Sequence, residues 1–315
     1  IKEVANKPEL YCFHPNSDFT RKRKLSMETV LTGIIGMGSG SLTNELIDLF
    51  HSSPDMPASS AFIQRRNKIK PEAFKAIFDG FSKGIMTEFS GEMPVFAVDG
   101  SDIQIATNPD APESYFPGRS GQKGYNLLHL NALYEINHHI YADSVIQKRK
   151  DWNEHKALLE MIGRSPVPKA LIIADRGYES YNNMAHIQEK GWHFLIRVKD
   201  GRGSIKGNLE LPEQETFDMD INLKITRKQS NEVKELLKDK NHYRFLPTNA
   251  NFDYLPAKSS YKDPASFYEL HFRIVRLRIS EDTYETVLTN LDKGQYPVGK
   301  LKLLYASRWG IETSF

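Results

Sequence analysis

Between residues 94 and 199 the chain alternates short apolar runs with stretches of helical spacing, and this alternation constrains the fold more than any other feature. PVFAVDGSDIQIAT reads as a strand, a turn at Asp99-Gly100 and a second strand, since Asp-Gly is a common turn pair. YNLLHLNALYEI and HHIYADSVI follow as a hairpin. NEHKALLEMIG has the spacing of a helix. KALIIADRGY is a buried strand that ends at Asp175, SYNNMAHIQEKG is a helix closed by Gly191, and WHFLIRVK is another strand. Several strands followed by a β–α–β–α–β alternation predict an α/β (α+β) fold, a mixed sheet with helices packed against it.

The flanking regions differ. Residues 1–90 read as a helical domain. LSMETVLTGIIGMG and SLTNELIDLF carry apolar residues three and four apart, and Ser41 with Glu45 nearby marks a helix start. SSAFIQRRNKIKPEAFKAIFDGF reads as two short helices broken before Pro71. The cluster of Arg65, Arg66, Lys68 and Lys70 fits a helix-turn-helix-like DNA binder and equally fits a solvated charged face. The run Arg21-Lys22-Arg23-Lys24 leaves the same two readings open. Residues 201–268 interrupt the alternation and read as a β-rich insertion. Within it Phe217, Met219, Ile221, Leu223 and Ile225 alternate with polar residues, the pattern of a half-exposed strand. FYELHFRIVRLRIS and TYETVLTNL then form a hairpin around Glu281-Asp282. Its apolar parity flips between Ile274 and Leu277, which predicts a bulge near Val275. A last helix starts near Pro297.

Composition narrows the setting. Lys and Arg number 42 and Asp and Glu 40, so the net charge of +2 permits a nucleic-acid partner without arguing for one. The single Cys12 excludes an internal disulfide and favours a reducing compartment, so a cytoplasmic location is expected. No apolar run approaches the roughly 20 residues that span a bilayer, and IKEVANKPEL lacks the pattern of a signal peptide. No glycine-rich phosphate loop with a Lys-Ser/Thr ending occurs, so no nucleotide cofactor is expected. A first residue other than Met and an ending inside a helical pattern suggest a piece of a longer protein.

Near that ending, Tyr305, Arg308 and Glu312 stand three and four residues apart, on one stripe of an α-helix. A phenol, a guanidinium and a carboxylate suit a site that handles metal and phosphate together. Asp99 and Asp175 each end an apolar run, and taken alone each also reads as an ordinary turn or strand-leaving residue. Together the three acids supply hard oxygen ligands for Mg²⁺, with substrate phosphate and water completing the shell. Two such ions about 3.5–4 Å apart activate the attacking oxygen and stabilise the leaving one in phosphodiester chemistry. Asp102 is a rival for the first acid, but strand alternation points it to the other face from Asp99. His129, His155 and His186 lack ligand-like spacing, and Trp309 reads as a core anchor of the last helix.

VFAVDGS, LIIADRGY, FLIRVK, VLTNL and YASRWGIE resemble the insertion-sequence-four family of DDE transposases, over about residues 94–315. The family's last signature is Tyr, two residues, Arg, three residues, Glu, six residues, Lys. Tyr305, Arg308 and Glu312 match it, and the Lys falls four positions beyond Phe315. The resemblance implies a ribonuclease-H-like catalytic domain in residues 91–200 and 269–315, with a β-rich insertion between the second Asp and the Glu. Asp99, Asp175 and Glu312 are then the catalytic, metal-binding triad for two Mg²⁺ or Mn²⁺ ions. The uneven gaps of 76 and 137 residues between these acids agree with the insertion. Double-stranded DNA, as mobile-element ends and target, is the implied partner, and pairing two ends makes a homodimer the expected working unit. Arg308 and Tyr305 are expected to contact DNA, with Arg197 and Lys199 lining its path and Arg65, Arg66 and Lys68 binding it from the first domain; the resemblance also allows Trp309 a role near the DNA. A stand-alone metal-dependent nuclease, or a DNA-binding protein that no longer cuts, needs the same fold and remains open at this level.

Overall fold

The computed structural model describes residues 1–21, 23–88, 91, 93–119, 121–199, 201, 203–256 and 266–315. Lys22 of the basic run and residues 257–265 of the expected insertion lie outside them. The chain forms two compact units, Ile1–Ser90 and Gly91–Phe315.

Among its described residues the first unit is helical: α1 (Lys2–Ala5), α2 (Pro8–Tyr11), α3 (Met27–Gly36), α4 (Leu42–Leu49), α5 (Ser59–Arg66) and α6 (Glu72–Glu88). Ser26 and Ser41 cap α3 and α4, accepting from the N–H groups of Thr29 and Asn44. Glu45 reaches back to the N–H groups of Gly38 and Gly40 and folds the preceding loop onto α4. Val30, Leu31, Leu46, Phe62 and Ala73 form the centre of its core. Gly33 lets α3 approach closely, because a Cβ there would stand 2.8 Å from Leu49 Cδ2.

The second unit is built on one mixed sheet. Its strands are β1 (Val95–Ile105), β2 (Tyr115–Phe116), β3 (Tyr125–Glu135), β4 (Ile140–Gln147), β5 (Leu171–Ala174), β6 (His193–Arg197), β7 (Phe217–Thr226), β8 (Tyr243–Phe245), β9 (Tyr268–Ser280) and β10 (Thr283–Thr289). Their order is β2-β3-β1-β5-β6-β10-β9-β7-β8, with β4 also paired to β3. β1, β3 and β4 are antiparallel neighbours, whereas β5 and β6 run parallel to β1. This is the ribonuclease-H-like arrangement that the family resemblance implies. The helices are α7 (Glu154–Arg164), α8 (Tyr181–Glu189), α9 (Asn231–Leu236), α10 (Val298–Ala306) and α11 (Trp309–Glu312). Among the described residues no helix is long and apolar enough to cross a membrane.

Three local expectations change. The segment from Val95 to Ile105 is one continuous strand, with no turn at Asp99-Gly100. β3 pairs along it from Phe96↔Glu135 to Ile105↔Asn126, and a turn would forfeit that ladder. Gly100 serves close packing instead, since a Cβ there would stand 2.5 Å from His129 Nε2. No register shift occurs at Val275; it falls at Thr283/Tyr284. The parity flip has another cause: Phe272 to Val275 are all buried, because mid-β9 is covered on both faces. Finally, β7 and β8 do not stand apart. β7 pairs antiparallel with β9 and β8 parallel with β7, so they extend the main sheet. The alternation of β7 is real, with Ile221, Leu223 and Ile225 buried.

Arg273 ties this edge together from a buried position. Its Nε and Nη2 donate to Asp218 at 3.1 and 2.7 Å, and its Nη1 donates to the carbonyls of Leu291 and Tyr296 at 2.9 and 3.2 Å. Every guanidinium nitrogen is engaged. Among the described residues Arg273→Ala leaves Asp218 only Lys293, 3.6 Å away, strips two carbonyls of a donor, and is expected to cost about 3–5 kcal/mol in denaturant unfolding. A loss below about 1 kcal/mol, the scale of a surface pair, would contradict this role.

Candidate active site

The site begins with the register of three parallel strands. Val98 of β1 lies opposite Ala174 of β5, and Ala174 opposite Ile196 of β6. The residues that follow are Asp99, Asp175 and Arg197, so they stand side by side, about 4.8 Å per strand. Period two places Asp99 on the face of Ala97, Asp175 on that of Leu171 and Ile173, and Arg197 on that of Leu195. Extended backbone at Asp175 (φ −76°, ψ 178°) carries the parity past the end of β5. All those apolar residues belong to one buried cluster, closed by Leu301, Tyr305 and Ile311 of the last two helices. The sheet therefore turns two acids toward the C-terminal helices.

Those helices supply the third acid. The expected single helix is interrupted: α10 ends at Ala306 and α11 begins at Trp309. Ser307 and Arg308 keep right-handed helical dihedrals, and hydrogen bonds from Arg308 N to Tyr305 O and from Ile311 N to Arg308 O tighten the turn. The stripe survives the break. Arg308 Nη2 donates to Glu312 Oε1, one turn away, and Nη1 lies 3.6 Å from Asp99 Oδ2. Ile311 is buried and anchors α11, which turns Trp309 outward. Trp309 is 60% exposed and is no core anchor; the Arg308 guanidinium carbon lies over its ring, 5.4 Å from the ring centre. Tyr305 is buried, and its hydroxyl has no hydrogen-bond partner.

The electrostatics follow from the crowding. Burial raises the Asp99 pKa above the ordinary carboxylate value; the nearby charges of Asp175 and Glu312 add to this, while the Gly100 N–H and Arg308 oppose it. Burial opposes the charge of Arg308, but Glu312, Tyr305 and Asp99 outweigh it and hold the guanidinium protonated. Burial likewise raises the Tyr305 hydroxyl. Asp175 is oriented by its own turn, accepting from the Gly177 N–H at 2.7 Å. In kind, three carboxylates with raised mutual repulsion fit a divalent cation. In spacing they do not yet close on one: among the described residues no three acidic, histidine or cysteine side chains stand close enough to hold a metal ion. The positive charge among these acids belongs to Arg308.

Of the other expected residues, Arg197 stands beside Asp175 and the rest fall elsewhere. Arg197 is ion-paired to Glu285 across β6 and β10 at 3.1 Å, and its charge is felt at Tyr305. Lys199 instead lines a polar cavity of about 440 Å³ with Asn153, His155, Glu179 and Asn183. In the first unit, Arg65 stacks over Phe19 at 4.8 Å, and Lys68 pairs with the buried Asp18 at 2.6 Å. Arg65 and Lys68 share a groove of about 670 Å³ with Arg21, Arg23 and Lys24; Arg66 is exposed.

One cluster was invisible to sequence spacing. Behind β1, His129 Nδ1 lies 2.8 Å from Asp102, its Nε2 lies 3.2 Å from Glu154, and Trp152 covers the ring at 4.3 Å. Asp102 therefore points away from Asp99, as alternation requires. Its partner is its cross-strand neighbour, Asp102↔His129, which only the pairing register reveals.

A family model described as a transposase DDE domain matches residues 90–315. No curated protein matches the chain. Among solved structures, a piggyBac transposase synaptic complex with hairpin DNA is similar at 11% identity and a TM-score of 0.41. The similarity covers 99% of this chain and 63% of that one.

The raised Asp99 pKa has a consequence for stability. The folded state holds the Asp99 proton more tightly than the unfolded chain, so its contribution is fully present at acid pH and lost as pH rises through the folded pKa. Asp99→Asn is expected to melt higher than the unmodified protein at neutral pH, with the difference shrinking as pH falls. Melting curves across pH check this; a variant that melts lower at neutral pH contradicts it.

Proposed function

Because the chain belongs to the transposase DDE-domain family, we propose that it cuts DNA at the ends of a mobile element and joins them to target DNA, with Asp99, Asp175 and Glu312 as the acting carboxylates. The observation that carries this reading is the β1–β5 register, which sets Asp99 beside Asp175 on the face that meets Glu312. Arrangement within β1, just past the end of β5 and on a packed helix, with Gly100 and Gly177 N–H groups orienting the two aspartates at 2.9 and 2.7 Å, suits a site that must hold its geometry under charge.

The three carboxylates are the residues that would hold a divalent cation, Mg²⁺ or Mn²⁺, and family resemblance implies two. Such a cation supplies polarisation of a phosphoryl oxygen and a more acidic attacking water. The protein's own groups do the rest. Arg308 offers a planar fork for bidentate contact with a phosphate. The partnerless Tyr305 hydroxyl is a donor for the DNA backbone. Arg197 and Lys199 line the DNA path. Residues 1–90 act as a DNA-binding domain through Arg65, Arg66 and Lys68. Residues 91–200 and 269–315 form the catalytic domain, with 201–268 as its β-rich insertion. Pairing of two DNA ends calls for a homodimer, working on chromosomal DNA in the cytoplasm.

Asp175→Ala in the full-length protein is expected to abolish metal-dependent nicking of supercoiled DNA while gel-shift binding stays near the unmodified level. Equal nicking by the variant removes Asp175 from the site. A strand-transfer assay with end-labelled duplexes separates transposase from nuclease: nicks without joined products favour the nuclease.

A further inference from the structure

Among the described residues of the second unit, two arginines are buried among acids, and they are seated differently. Arg273 is finished: both ends of its fork meet Asp218 and its last nitrogen meets two carbonyls. Arg308 is not. Its Nη2 meets Glu312, its Nη1 stops 3.6 Å short of Asp99, and its Nε is buried with no partner. A structural guanidinium uses its five donors; this one leaves some unspent, in a place where Asp99 feels the charges of both Asp175 and Glu312. It also has a second seat, which it already touches. Trp309, the next residue, is 60% exposed, and its ring centre already lies 5.4 Å from the Arg308 guanidinium carbon. An indole face is the best aromatic seat for a guanidinium. Arg308 itself sits at the junction of α10 and α11, where the helix is already broken.

We propose that Arg308 is an internal counter-cation, which neutralises Asp99 and Glu312 in the metal-free protein and must release Glu312, keeping its seat over the Trp309 ring, before these acids close on a divalent cation. The inference rests on the proposed reading of the three acids as the cation site. It also accounts for a disagreement noted above: the donor types fit a cation, yet no three of them stand close enough to hold one among the described residues. The guanidinium occupies the charge role, and Glu312 is turned to it. A cation entering this cluster competes with a resident positive charge, which keeps the acids from binding metal without cost. Removing Arg308 therefore weakens the metal-free protein and strengthens its grip on metal. An arginine whose charge is not felt at the cation site predicts no gain in metal affinity.

The test is Mn²⁺ binding followed by electron paramagnetic resonance, on the full-length protein and three variants, each also melted without metal. Arg308→Gln is expected to bind Mn²⁺ about tenfold tighter or more, because a unit charge a few ångströms away is removed, and to melt lower than the unmodified protein when metal is absent. Arg308→Lys keeps the charge and is expected to bind Mn²⁺ close to the unmodified level. Asp175→Asn reports on the site itself and is expected to weaken binding. If Arg308→Gln binds Mn²⁺ no more tightly than the unmodified protein while Asp175→Asn weakens it, the counter-cation role is wrong and the cation site stands. If Mn²⁺ binding ignores Asp175 in every background, the underlying reading of the acids fails, and the role of Arg308 fails with it.

Discussion

The parallel pairing of β1 with β5 is the constraint on which the site depends. Val98↔Ala174 fixes which residues emerge together from the sheet, and those residues are Asp99 and Asp175. A slip of one residue would turn one of them to the opposite face, toward the side where Asp102 meets His129. The register is held from both sides. Along β1, β3 pairs through ten residues, and Gly100 lets His129 pack against the strand without a clash. Beneath, Ala97, Leu171, Ile173 and Leu195 are fully buried, so a slip would also expose a core. The apolar sheet is thus what positions the charged groups.

Placing acids together raises a problem of self-repulsion. Burial raises the Asp99 pKa most, and the charges of Asp175 and Glu312 add to it. Arg308 offsets it from the neighbouring helix, at the expense of a buried Nε without a partner. Asp218 shows the alternative: an acid fully matched by Arg273, at the far side of the same sheet. The contrast separates an ion pair built to stay from one with unmet valence. Strain of the second kind tends to collect where a fold must also work.

Much of this was legible in the chain, for reasons that can be named. The apolar run before Asp175 gave β5 and its end, the run before Asp99 gave only the first part of β1, and spacing of three and four gave the Arg308–Glu312 contact. What failed shares a physical cause: neighbours across the sheet override local preference. Asp99-Gly100 has turn chemistry, yet β3 draws it into a ladder. The parity flip at Ile274 to Leu277 looked like a bulge, yet burial on both faces removes the alternation on which parity depends. Trp309 looked like an anchor by size, but Ile311 took that place and rotated it outward. The cluster of Asp102, His129 and Glu154 has no sequence period at all, because its members meet through pairing and packing.

A crystal soaked in Mn²⁺ and measured at an anomalous wavelength tests the central claim most directly. The account predicts an anomalous peak within ligand distance of carboxylate oxygens from Asp99, Asp175 and Glu312, with the Arg308 guanidinium withdrawn from Glu312. Mn²⁺ bound elsewhere in an ordered core, with Arg308 still on Glu312 and the three acids unliganded, would contradict it.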